Sequence, residues 1–269
     1  MNEIEFTASS SFSDTAEDSC QYGDNIAYEL LELDQYRRSP NRGAGASRPK
    51  RNYTSPQGEI YFKFGITNNE LCAELFSYDL AKQLEIDVAV TRLAQSGSVL
   101  GAASYDIGEY EEPSDAQSYS VKDFIEIDGF ITMCLFDYLI MNEDRHAGNW
   151  GIINGKVAPL FDHNITFGGD IIIDDVNHFM RTLNSAFYVA DQNNNRHDTI
   201  LLYLVKHHAD EVFSFLRKLD DIKVISNDLW NEHFPVDCAR LNKILLARID
   251  YMKRKADEFN VREIIDNEF

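Results

Sequence analysis

The sequence predicts an α+β fold of two unequal lobes: a small strand-rich front with one helix, then a larger, mainly helical back. Three observations carry this expectation. Short alternating apolar runs gather before residue 108, around a single stretch of helical spacing. Beyond residue 109 the apolar positions recur mostly at helical intervals. With 269 residues, 44% hydrophobic and 12% aromatic, the chain can bury a sizeable core. The N-lobe is accordingly placed at 1–108 and the C-lobe at 109–269.

The elements follow in order. The first 34 residues carry nine acids and no base, and the early Ser-, Thr- and Asp-rich part is expected to be poorly ordered. Apolar residues resume from Ile26 to Leu33, as a strand or a short helix. Tyr36 to Gly58 has three prolines and three glycines and reads as a loop. Glu59 to Phe64 alternates and reads as a strand. Asn68 or Asn69 can cap a helix running to Leu84, with Leu71, Leu75, Leu80, Ala81 and Leu84 on its buried face. Val88–Leu93 and Val99–Tyr105 read as strands joined at Ser96-Gly97. Asp106 to Asp128 holds eight acids and one lysine, and its first part, with Pro113 and Ser114, suits a linker. Lys122 to Ile140 reads as one long buried helix. Trp150–Ile153 and Val157–Leu160 flank an Asn154-Gly155 hairpin turn. Thr199–His207, Asp210–Leu219 and Cys238–Phe259 read as helices, and Trp150 and Trp230 as packing residues.

Charge and cysteines narrow the function. A net charge of −20 argues against nucleic acid or an anionic membrane as general partners. No apolar run approaches the length a bilayer requires. Cys20, Cys72, Cys134 and Cys238 lie far apart with no Cys-x-x-Cys pair, which points to reduced thiols in a cytoplasmic setting. The acidity is uneven: Tyr36 to Gly58 carries six bases and no acid.

The densest polar signal is Asn142-Glu143-Asp144-Arg145-His146-Ala147-Gly148-Asn149-Trp150, where the apolar pattern breaks. Asp162 follows Asn149 by thirteen residues, across the hairpin. Phosphoryl transfer needs such a set: one carboxylate near the attacking hydroxyl, and an Asn oxygen with a second carboxylate to hold Mg²⁺ against nucleotide phosphates. An isolated Asp-x-x-x-x-Asn is mostly a polar helix end. Three further features raise its weight. The basic loop Gly43-Ala44-Gly45-Ala46-Ser47-Arg48-Pro49-Lys50 lets backbone N–H groups approach phosphates. Lys63 lies within an apolar strand. Glu74, on the next helix, can pair with Lys63 and aim it. Distant acids are screened beyond about 8 Å, whereas a contact charge pair is worth about 4 kcal/mol near a protein surface. Nearby lysines therefore outweigh the acidic surface.

These residues together resemble the HipA-like branch of the protein-kinase-like fold. Gly45 to Lys50 is similar to that family's Gly-Gly-Ala-Arg-Pro-Lys-type loop, and Tyr61-Phe62-Lys63-Phe64 to its nucleotide-lysine strand. Glu74, six residues before Leu80-Ala81, resembles the next helix. Asp144-Arg145-His146 through Asn149 matches its catalytic loop, and Ala158 to Asp162 its metal-binding segment. The resemblance implies a bilobal serine/threonine protein kinase using ATP and Mg²⁺, with Mn²⁺ as a substitute. It implies Asp144 as catalytic base, His146 as a loop brace and core histidine, and Asn149 and Asp162 as metal holders. It implies Lys63 as the phosphate contact positioned by Glu74, with Gly43, Gly45, Ser47 and Lys50 at the phosphate loop. Autophosphorylation is expected, with Ser39, Ser47 and Ser55 as candidates, and Ser104 to Ile107 is the expected adenine neighbourhood. The implied partners are a protein substrate and an antitoxin or regulatory protein. A toxin role, or delivery into a host cell, is known among relatives. Longer members carry a small N-terminal domain that this chain is expected to lack.

Two rivals remain. Asp-Arg-His-x-x-Asn also resembles the catalytic loop of phosphoinositide lipid kinases, but no basic amphipathic helix for a membrane stands out. A nucleotide-binding pseudokinase module is the other, against which stands the full set Lys63, Asp144, Asn149 and Asp162. A metallohydrolase would leave Lys63 and the glycine loop unexplained.

Overall fold

The computed structural model describes residues 29–40, 48–113, 119–168, 183–189, 194–226 and 228–268. Gly43, Gly45, Ser47, Cys20 and the acidic start of the chain lie outside the described residues. The N-terminal part is a six-stranded sheet in the order β1-β5-β6-β4-β3-β2. Its strands are β1 (Leu31–Glu32), β2 (Arg37–Ser39), β3 (Lys50–Ser55), β4 (Gly58–Phe64), β5 (Thr91–Ser96) and β6 (Val99–Tyr105). Only the β1–β5 pairing is parallel.

β2 and β3 correct the expectation of a loop from Tyr36 to Gly58. Their side chains are mostly polar or basic, so no apolar alternation marks them. Pairing makes them strands: β3 runs along β4 from Lys50 opposite Lys63 to Ser55 opposite Gly58, and β2 adds to the free edge of β3. The Ser55 hydroxyl closes the turn by donating to the Gly58 carbonyl at 2.9 Å.

The two sheet faces do different work. Tyr53, Ile60, Phe62, Ala94 and Ala103 pack with Leu31 and Leu33 in a small cluster, so the N-terminal segment seals that face. Leu93 and Ala102, on the opposite face, join the main core with α1 (Asn68–Gln83). Lys63 and its cross-strand neighbour Lys50 share this inner face, because side chains alternate along a strand. At the centre of the sheet, a Cβ on Gly101 would collide with the Lys63 carbonyl and the Phe62 ring. Glycine there lets β6 close on the lysine strand.

Thr67, rather than Asn68 or Asn69, caps α1. Its hydroxyl accepts from Glu70 N at 3.2 Å, and Glu70 accepts from Thr67 N at 2.8 Å. This reciprocal capping box satisfies two N–H groups the helix would otherwise leave open. Arg48 adds Nε to the same carboxylate at 2.8 Å.

The expected long helix from Lys122 to Ile140 is two helices, α2 (Val121–Phe124) and α3 (Phe130–Ile140). Gly129, at φ 85°, begins α3 in a left-handed conformation that suits glycine. Apolar spacing masks the break because Ile125 and Ile127 still pack on the same core. The chain then forms β7 (Ile152–Ile153) and β8 (Lys156–Val157), joined as expected by Asn154-Gly155 with both φ positive. The acidic segment after β6 runs along β7: Glu111 and Ile152 exchange both backbone bonds at 2.9 Å.

A further hairpin, β9 (Asn184–Val189) with β10 (Asn194–Arg196), has no counterpart in the sequence expectation. Phe187 from β9 enters an aromatic cluster with Phe124, Phe130 and Trp150. The helices α4 (His197–His207), α5 (Ala209–Lys218), α6 (Asp228–His233) and α7 (Pro235–Glu268) complete the back of the molecule. α7 packs along α1, α3 and α4 and so ties sheet and helices into one core. Among the described residues, no helix is long and apolar enough to cross a membrane. Cys72, Cys134 and Cys238 are buried free thiols.

Candidate active site

Three elements meet at Lys63. Its ammonium, only 5% exposed with the rest of the residue, lies 3.2 Å from Glu74 Oε2 on α1 and 2.7 Å from Asp162 Oδ1 beyond β8. Lys50, opposite Lys63 on β3, approaches Asp162 Oδ2 at 3.9 Å. Asp162 itself sits at φ 60°, a left-handed conformation that costs a non-glycine residue free energy and is least unusual for Asp and Asn. The next residue helps hold it, since His163 N donates to Glu74 Oε2 at 3.1 Å.

The electrostatics follow from one ammonium shared by two carboxylates. Burial by itself would push Lys63 down, but Glu74 and Asp162 outweigh it and hold the ammonium above its ordinary value. Burial likewise works against an ionised Asp162, yet Lys63, Lys50 and Arg145 keep its carboxyl below the usual range. Glu74 goes the other way: burial pushes it up, and Lys63 only partly offsets this.

The loop from Asn142 to Asn149 begins where α3 ends at Met141, itself at φ 60°. Arg145 is its anchor and is fully buried. Its guanidinium forks onto Asp137, at 3.1 Å to Oδ2 and 2.8 Å to Oδ1. Its remaining nitrogen donates to the carbonyls of Asn149 at 2.8 Å and Phe161 at 2.9 Å. One planar cation therefore binds α3, the end of the loop and the residue before Asp162. Tyr110, from the segment along β7, packs on Phe161 at 5.7 Å between ring centroids. A Cβ on Gly151 would run into that tyrosine ring.

Within the loop, Asn149 Nδ2 donates to the Asp144 carbonyl at 2.7 Å and to Asp144 Oδ2 at 3.2 Å. Asp144 N donates in turn to Asn142 Oδ1 at 3.0 Å. The Asp144 side chain remains 38% exposed, open to an incoming hydroxyl. His146 is not the core histidine expected: its side chain is 61% exposed. Its Nδ1 accepts from Gly148 N at 3.1 Å and caps the short turn Ala147–Asn149.

The expected residues Lys50, Lys63, Glu74, Asp144, His146, Asn149 and Asp162 thus lie on one connected set of contacts. Gly43, Gly45 and Ser47 fall outside the described residues. Ser39 and Ser55, the other candidate serines, are engaged in strand pairing and in the β3–β4 turn. Sequence reasoning missed Arg145 as the central brace, together with Asp137 and Asn142. The signal available was Arg145 inside the polar motif and Asp137 alone among the apolar residues of α3.

The donor set suits Mg²⁺ held together with phosphates. Asn149 Nδ2 is engaged by Asp144, whereas its Oδ1 accepts no hydrogen bond among the described residues. That amide oxygen and the Asp162 carboxylate are hard ligands. No group of three or more His, Cys, Asp or Glu that could hold a metal occurs among the described residues. Asn149 and Asp162 would supply two ligands, and phosphate oxygens and water would supply the rest, as Mg²⁺ sites commonly require.

Two solved structures share this architecture. The chain is similar to the proinflammatory kinase CtkA of Helicobacter pylori, with a TM-score of 0.64 and 18% identity over 88% of this chain and 99% of that one. It is also similar to a chain from the HipA–HipB toxin–antitoxin complex with operator DNA of Shewanella oneidensis MR-1. There the TM-score is 0.50 and the identity 13%, over 86% of this chain and 70% of that one. No protein-family model and no curated protein matches the chain. The α+β kinase-like fold of HipA type that the sequence predicts is thereby shown.

Proposed function

We propose that this HipA-like fold serves an ATP-dependent protein kinase that transfers the γ-phosphate to serine or threonine hydroxyls. The observation that carries the reading is the junction at Asp162. Lys63, paired to Glu74, reaches the aspartate from the sheet side, while Arg145 ties the Asp144–Asn149 loop to the residue before it. In this reading Asp144 orients the acceptor hydroxyl and takes its proton as the oxygen attacks the γ-phosphorus. The new P–O bond forms as the bond to ADP breaks. Lys63 and Lys50 face the phosphate oxygens. Asn149 and Asp162 would hold Mg²⁺, which supplies charge neutralisation on the phosphates when bound. Self-labelling is part of the proposal. The proposal extends to a cytoplasmic setting, supported by the widely spaced cysteines, and to an antitoxin or other regulatory partner, which rests on the HipA-like reading alone.

The test is incubation with γ-labelled ATP and Mg²⁺, alone and with a lysate. Asp144→Asn should lower labelling at least about 100-fold, the range expected for loss of a catalytic acid–base group. Wild type that labels nothing more than Asp144→Asn does would sink the reading.

A further inference from the structure

His197 opens α4, far in sequence from the catalytic loop, yet its Nε2 lies 3.0 Å from the Asn142 carbonyl. The ring is fully buried, edge-on to Tyr138 at 5.7 Å. Burial, with smaller opposing contributions from Asp137 and other neighbours, pulls its pKa down to about 4, so the imidazole is neutral near pH 7. A neutral ring facing a carbonyl oxygen must present Nε2–H, which fixes the tautomer.

Asn142 is the hinge of this arrangement. Its N–H donates to the Asp137 carbonyl and its Nδ2 to Asp137 Oδ1, both at 2.9 Å. Its Oδ1 accepts from Asp144 N at 3.0 Å. The carbonyl is held by His197, which among the described residues is the partner of Asn142 that comes from outside the 137–144 stretch. A second bond from the same region grips the loop, since Asn184 N donates to Glu143 Oε1 at 3.1 Å. His197 N also donates to the Leu183 carbonyl at 2.9 Å, which closes the β9–β10 hairpin against α4.

We propose that His197 is a positioning residue for phosphoryl transfer, holding Asn142 so that its side chain presents Asp144 to the acceptor hydroxyl. This rests on the kinase reading above. In that reading Lys63, Lys50 and Asp162 would contact the bound nucleotide, so a defect in Asp144 placement should fall on turnover rather than on ATP binding.

The experiment uses the full chain with labelled ATP, Mg²⁺ and myelin basic protein as a generic acceptor, in wild type, His197→Phe and His197→Gln. His197→Phe keeps a ring but removes the donor; His197→Gln retains an amide donor. His197→Phe should lower kcat at least about tenfold with KM for ATP within about twofold, and His197→Gln should recover to within about threefold of wild type. Amide hydrogen exchange of the 141–146 region should accelerate in His197→Phe and return toward wild type in His197→Gln, a readout independent of activity. An active wild type with unchanged kcat in His197→Phe overturns the positioning role. So does a loss that His197→Gln fails to rescue while exchange rises across the whole molecule. Wild type that transfers no phosphate while exchange at 141–146 still follows the donor overturns the kinase reading instead, and leaves the anchoring of Asn142 intact.

Discussion

Lys63 answers to Glu74 and Asp162 at once, and that sharing sets the energetics at the residue scale. Removing one partner of a buried ion pair leaves an uncompensated charge, typically at a cost of about 3–5 kcal/mol. Lys63→Met should therefore lower unfolding free energy by about 3 kcal/mol, and Lys63→Met with Glu74→Gln should regain much of it. Urea denaturation of the four members of this cycle measures the coupling. Asp79 makes a pH prediction. Burial pushes its carboxyl up to about 7, against about 3.9 in an unfolded chain. Folding then favours the protonated form, so stability falls as pH rises through the window from about 4 to 7. Asp79→Asn should leave stability near pH 4 unchanged and raise it on the order of 2 kcal/mol at pH 8. An equal gain at both pH values would show that Asp79 does not titrate in that window. Lys63 and Asp162 were legible as single residues, because charges within or just after apolar strands stand out. Arg145 was not, since sequence does not reveal that a guanidinium inside a polar motif is fully buried.

At the scale of elements, helices and strands with apolar faces were legible and those made by pairing were not. β4 announces itself through Ile60 and Phe62, whereas β3 exists because β4 supplies its partners and β2 because β3 does. α3 was legible, but not its separation from α2, because residues in the break keep contact with the core. The cap of α1 lies one or two residues before the expected one, since Asn68 and Asn69 both resemble caps and the capping box of Thr67 and Glu70 lies just before and after them. Thr67→Ala should cost about 1 kcal/mol of stability, read by thermal or urea unfolding. Gly101→Ala should cost more, about 3 kcal/mol, since the added carbon meets the Lys63 carbonyl as well as the buried Phe62 ring. Its effect should also reach Lys63, whose carbonyl it would displace, and weaken nucleotide binding in a fluorescence titration.

On the scale of the whole molecule, the sheet and the helical part meet through a few buried polar contacts as well as through α7. Asp162 joins Lys63 to the region held by Arg145, so nucleotide binding should stabilise the entire fold. At 100 times its dissociation constant, Mg·ATP should add about 2.7 kcal/mol. For a chain of this size that raises Tm by roughly 5–10 °C in a thermal-shift assay. Asp162→Ala should remove the Mg²⁺-dependent part of that shift; an undiminished shift would argue against its metal role. The sequence alone determined the order of the chemistry-bearing residues, the α+β class and the contrast between a basic strip and an acidic remainder, because all three are local properties of the chain. The tertiary structure decided that Lys50 faces Lys63, that His146 is exposed while Arg145 is buried, and that His197 holds Asn142. Those facts depend on which strand lies beside which and which cation is taken out of water, and no local pattern encodes either.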